Sequence, residues 1–204
     1  MKSLVILALL LLPFVSHSAE MDDQTVVEIP QGWAINLQLG LASLNPELSS
    51  QGIGDSASSF GLSFDKLNDD IYMSFLINVL NLDDNEGYSE EVVGTSYSNS
   101  GQRSTAKSNA SASLLGAAVG KAWFVNNNKT MLYAQGGFNF VAEASRNIPN
   151  CSNCGGTDLN IDSGLFTRFG ANIFLDNAII GVFSIVSLTG DIDNNFGISV
   201  GFQY

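Results

Sequence analysis

Residues 196–204 read FGISVGFQY. Phe196, Ile198, Val200, Phe202 and Tyr204 fall on one face of an extended chain, and Gly197, Ser199, Gly201 and Gln203 on the other. Side chains alternate across a β-strand, so this is a strand with one wholly apolar face. Its second face decides the reading. A soluble sandwich turns its apolar side to a core and shows water a side that is usually charged. Here the second side is small or polar and carries no charge.

The same pattern recurs upstream. In GWAINLQLGLA, Trp33, Ile35, Leu37, Leu39 and Leu41 oppose Ala34, Asn36, Gln38, Gly40 and Ala42. Residues 56–65 set Phe60, Leu62 and Phe64 against Ser59, Gly61 and Ser63. Residues 70–82 set Ile71, Met73, Phe75, Ile77 and Val79 against Tyr72, Ser74 and Asn78. Residues 130–143 and 161–175 alternate likewise, whereas 111–125 and 178–188 are apolar on both faces. With 196–204 this predicts eight strands.

The links between them are unequal. Lys66–Asp69, Asn126–Lys129 and Asp176–Asn177 are short and rich in Asn and Asp, which suit tight turns. The alternate links, 43–55, 83–110, 144–160 and 189–195, are mostly longer. Short turns at one end and long loops at the other are the plan of a transmembrane β-barrel, with the turns and both termini in the periplasm. Most of the strands match the 9–11 residues that cross the apolar slab at a tilt. Trp33, Trp123, Phe124, Phe174, Phe202 and Tyr204 sit near strand ends, where an interfacial girdle is expected.

Composition narrows the function. The 204 residues hold 20 acidic and 8 basic side chains, a net charge of −12. That argues against nucleic acid, whose phosphates require a surplus of Lys and Arg. Residues 1–19, MKSLVILALLLLPFVSHSA, have the basic start, short apolar run and small-residue end of a cleaved export signal. Cleavage after Ser18 and after Ala19 both remain open. A periplasmic segment, 20–30, then leads to the barrel, 31–204. Without the signal the chain keeps seven basic residues (eight less Lys2) against 20 acidic ones. It has no histidine, since His17 is the only one.

On these grounds the chain resembles the small eight-stranded outer-membrane barrels of the OmpA transmembrane-domain and OmpX type. The resemblance implies a monomeric, all-β, antiparallel up-and-down barrel in outer-membrane lipid. It also implies that the last strand, ending in Phe202 and Tyr204, is read by the barrel assembly machinery; the terminal Tyr departs from the usual Phe. The peptidoglycan-binding domain of OmpA has no counterpart in the sequence. Some barrels of this size are lipid A deacylases or acyltransferases that rely on a catalytic His. The mature chain has none, so no enzyme activity and no cofactor are expected.

Arg168 is the sharpest single residue. Mid-strand and on the polar side, it would cost about 2–4 kcal/mol facing lipid near the midplane. It is therefore expected in the lumen, paired with Asp162, Glu143 or Asp65. Lys121 alternates with Val119 and Trp123, and its direction is left open. Cys151-Ser-Asn-Cys154, in a predicted external loop, reads as a loop disulfide, since export permits oxidation. The acidic runs, including 83–86 and 90–91, read as solvated loop charge, and no metal site is expected. Loops 83–110 and 144–160 are the candidate binding segments for an extracellular ligand. Residues 92–97 are placed to extend strands three and four as a protruding hairpin. The expected role is structural or surface-interactive. The alternatives are a narrow channel for small solutes and a secreted or periplasmic soluble ligand-binding β-protein.

Overall fold

The computed structural model describes residues 31–84, 90–93, 103–106, 108–147 and 156–204. The expected signal, 1–19, and the expected periplasmic segment, 20–30, lie outside them. Eight long strands are present: β1 (Gly32–Leu44), β2 (Ile53–Asn68), β3 (Ile71–Asp84), β4 (Asn109–Val125), β5 (Thr130–Asn147), β6 (Gly164–Leu175), β7 (Ala178–Ser187) and β8 (Ile192–Gln203). Each pairs antiparallel with its sequence neighbours, and β1 pairs with β8, so the sheet closes into an up-and-down barrel. A closed ring leaves no edge groups unpaired, which is what a sheet in lipid requires.

The barrel is inside-out. Ile35, Leu37, Leu39 and Leu41 on β1 point outward, as do Phe196, Ile198, Val200 and Phe202 on β8. Their strand partners on the other face, Asn36, Gln38, Asn195 and Ser199, are buried. A belt of exposed Leu, Ile, Val and Phe around the whole circumference has no place in water but matches hydrocarbon. No helix among the described residues is long and apolar enough to cross a membrane. Ile198→Arg tests the belt directly. Placed mid-strand on the lipid face, it is expected to cost about 2–4 kcal/mol of folding stability in lipid vesicles. A water-facing site would lose no more than about 0.5 kcal/mol.

Three short turns lie at one end. Asp69 and Asp176 take positive φ in the two-residue turns, and Asn126, Asn127 and Asn128 all do so in the third. Asn and Asp are the non-glycine residues that best tolerate this left-handed region. At the other end the strands run further than expected. β5 continues to Asn147, and Thr157–Asp158 pairs with Ser145–Arg146. β8 begins at Ile192, which reduces the expected 189–195 loop to a short turn. Within 83–110, Glu90–Val93 and Arg103–Ala106 pair as a separate two-stranded sheet, and residues 94–97 of the expected hairpin lie outside the described residues.

Close packing fills the lumen. Long side chains lie across directly paired glycines of the next strand: Asn36 over Gly201, Asn78 over Gly61, Asn172 over Gly181 and Phe183 over Gly197. An eight-stranded barrel has just enough interior for its own side chains, and these pairings use it by setting a large residue against an absent one.

Candidate functional site: the lumen and the external cap

Three apolar layers stack along the barrel axis. At the short-turn end, the expected periplasmic mouth, are Leu67, Tyr72, Ala122, Met131 and Tyr133, with Phe124 and Phe174 packed against them. Leu76, Ala118, Phe166, Phe183 and Ile185 form a second layer. A third lies at the long-loop end, the expected external mouth, and includes Leu44, Leu48, Ile53, Leu80, Leu82, Leu159 and Ile161. Apolar layers therefore share the lumen with the small and polar side chains that alternation turns inward, such as Asn36, Ser63, Ser74 and Asn78. The strands that read as apolar on both faces, 111–125 and 178–188, supply one face to lipid and the other to these layers. The expectation for Phe124 and Phe174 is corrected. Their rings, 6.3 Å apart, close the periplasmic mouth instead of joining the lipid-facing girdle. Trp33, Trp123, Phe202 and Tyr204 are the exposed members of that set.

A polar layer is embedded among the apolar ones. Arg168 on β6 is 2% exposed and Asp65 on β2 is 1% exposed, with Nη1 to Oδ1 at 3.7 Å. Arg168 Nη1 also donates to Ser74 Oγ at 3.0 Å and to Gln135 Oε1 at 3.1 Å. Gln135 Nε2 donates in turn to Ser74 Oγ and to the Tyr72 carbonyl. Asn36 Nδ2 and Ser63 Oγ both donate to Asp65 Oδ2, at 2.6 and 2.8 Å. The guanidinium lies over the Tyr133 ring, 5.1 Å from its centroid. Charge pairing, hydrogen bonds and a π-face together offset the cost of removing two charges from water.

Of the three expected partners, the structure brings Asp65 to Arg168 and places Glu143 and Asp162 elsewhere. Glu143 is exposed because β5 carries a bulge: Ser113 pairs with Glu143 and Leu114 with Val141, so Ala142 is extra. One extra residue exchanges the faces of everything beyond it. Asp162 precedes β6 and is also exposed; its N–H donates to Asp191 Oδ2.

The same bulge creates a feature that strand alternation did not reveal. It turns Arg146 inward, where its Nη2 meets Asp84 Oδ1 at 3.0 Å and both side chains are 6% exposed. Arg146 Nε donates to Asp84 Oδ2, and Nη2 donates to the Gln51 carbonyl at 2.6 Å. Ser108 Oγ also donates to Asp84. Gln51 ends a short 3-10 helix, Pro46–Gln51, capped by the Asn45 side chain and stopped by Gly52 in the left-handed region. Its side chain bonds both the N–H and the carbonyl of Asn160. Five places in the chain, at Gln51, Asp84, Ser108, Arg146 and Asn160, are thus tied into a cap over the external apolar layer.

Lys121 points outward at the periplasmic rim and pairs with Asp70, 2.7 Å away. The ammonium holds the Asp70 carboxyl below the usual carboxylate range, by hydrogen bond and by charge. Cys151 and Cys154 lie outside the described residues. Among the described residues no group of three or more His, Cys, Asp or Glu side chains is gathered to hold a metal. Phe202 and Tyr204 end on the lipid face, beside the first strand: the Trp33 and Tyr204 backbones bond each other.

No protein-family model matches the sequence, and no curated protein matches it. Solved structures do match in fold. Neisserial surface protein A is 12% identical over 84% of this chain and 95% of its own, with a TM-score of 0.50. The attachment invasion locus protein Ail of Yersinia pestis, solved with the heparin analogue sucrose octasulfate, is 11% identical. That match covers 85% of this chain and 99% of Ail, with a TM-score of 0.43. The first likeness shows a shared fold, the closed eight-stranded barrel of small outer-membrane proteins.

Proposed function

We propose that the chain is an integral outer-membrane barrel that conducts nothing, catalyses nothing and acts through the surface it presents outside the cell. One observation carries this reading: the lumen is closed at three levels by packed apolar side chains and is capped externally by the Arg146–Asp84–Gln51 assembly. A water-filled path needs a continuous polar lining, and these layers interrupt it. The narrow-channel alternative loses its support for the same reason. A soluble ligand-binding protein would have to leave the apolar belt in water. The lack of any histidine beyond His17 supports a non-enzymatic role.

Under this reading the barrel is a rigid mount. Glu90–Val93 and Arg103–Ala106 pair with each other in the link between β3 and β4, and Cys151 and Cys154 stand in the link between β5 and β6. These segments, 83–110 and 144–160, are where a partner would be recognised, with the two cysteines joined as a staple. The cap makes the base of each loop part of the folded barrel, which limits the entropy lost on binding.

Two measurements test the proposal. Planar bilayers containing the refolded protein are expected to show no discrete conductance steps beyond the detergent control; stable steps would make it a channel. Trypsin added to intact cells is expected to cut at Arg103 or Lys107. Cleavage seen only after the envelope is permeabilised would place that hairpin on the wrong side.

A further inference from the structure

The lipid-facing wall is not uniform. A groove of about 610 Å³ runs obliquely across β1 to β6, from Trp33 and Lys66 near the short-turn end to Leu165 at the long-loop end. Ala117, Val119 and Gly136 form its floor, with Met73 and Phe75 along one wall and Phe138 along the other. A side-chain carbon built at Gly136 would meet nothing within 4 Å, which marks the floor as open. Two lateral rows of residues run through it. One, Phe64, Phe75, Ala117, Phe138 and Leu165, climbs from near the short turns on β2 to the long-loop end of β6; the other, nearer the short turns on each strand, is Trp33, Lys66, Met73, Val119 and Gly136. The groove is therefore apolar along its length and carries a lysine at its short-turn end.

Lys66 is the distinctive group. Its ammonium lies 5.2 Å from the centroid of the Trp33 ring and has no carboxylate partner among the described residues. Lys121, nearby, is already neutralised by Asp70. A lysine left without an anion beside a hydrocarbon-lined groove fits an amphiphile with a negative head and an apolar tail. The volume falls within the roughly 300–1,000 Å³ of sites that hold one small ligand.

We propose that this groove holds an acyl chain of one anionic phospholipid of the periplasmic leaflet, with its phosphate at Lys66. The proposal rests on the membrane reading above and adds a specific lipid site to it. A second copy of the chain seated in the groove would leave Lys66 facing an apolar wall, with nothing to neutralise it.

The test uses the folded, delipidated barrel in mild detergent, offered phosphatidylglycerol or phosphatidylcholine and read by native mass spectrometry. One phosphatidylglycerol per chain is expected to bind about fivefold better than phosphatidylcholine. Lys66→Gln is expected to abolish that preference, and Gly136→Phe to reduce retention of both lipids by filling the floor. Each variant is first checked for the gel-mobility shift of an intact barrel on heating. Equal binding of the two lipids by the unaltered protein would overturn the proposal. So would a preference that survives Lys66→Gln, or a dimer that Gly136→Phe dissociates. A chain that shows no heat shift and dissolves without detergent would instead overturn the membrane reading, before any lipid is added.

Discussion

Replacing Arg168 by Met is expected to destabilise the barrel by about 3–5 kcal/mol, the usual cost of removing one partner from a buried ion pair. The size comes from what is left behind. Asp65, 1% exposed, would keep the Asn36 and Ser63 hydrogen bonds but lose the only cation near it among the described residues. Ser74 and Gln135 would each lose the guanidinium's hydrogen bond as well. The double variant Arg168→Met/Asp65→Asn is expected to recover most of the loss, because a neutral amide needs no counter-charge. Urea unfolding in lipid vesicles, followed through Trp33 and Trp123 fluorescence, reads both. If the double variant were as unstable as the single one, packing and not charge would be the reason for Arg168.

The second large effect separates two adjacent glycines. Gly137→Val is expected to cost at least about 1–3 kcal/mol, the penalty for forcing atoms into a full interior. Its Cβ would fall against the Phe166 ring and within 2.5 Å of the Ala117 carbonyl oxygen. A backbone oxygen held in the ladder cannot turn aside, so the seam between β4 and β5 would have to open. Gly136→Val, one residue away, points into open space on the lipid side. It is expected to be neutral, or to gain up to about 1 kcal/mol from the lower conformational freedom of the unfolded chain. The fraction of folded, heat-shifting protein after refolding compares the two. Equal losses would mean that the faces of β5 are assigned wrongly.

The strand number, the direction of the apolar face and the end carrying the short turns were legible in the chain because each is a local property. Alternation in FGISVGFQY and in GWAINLQLGLA depends only on a period of two. The turn residues Asp69, Asn126 and Asp176 declare themselves by type. Arg168 was legible too, since a mid-strand cation cannot face hydrocarbon. Its partner was not. Asp65 and Arg168 are 103 positions apart in sequence, and their approach depends on the stagger of the strands around the ring. Glu143 and Asp162 were reasonable candidates by alternation alone, and a single extra residue at Ala142 removed the first of them.

By itself, then, the sequence determined a membrane-spanning ring of alternating strands. The physical reason is that lipid on one side and a confined lumen on the other impose the same two-residue period on every strand. Only the tertiary structure decided how the lumen is filled, which carboxylate faces Arg168, and that Arg146 and Asp84 cap the external mouth. Those outcomes depend on register, and register emerges when eight strands close on one another and the inward side chains must share a single narrow space.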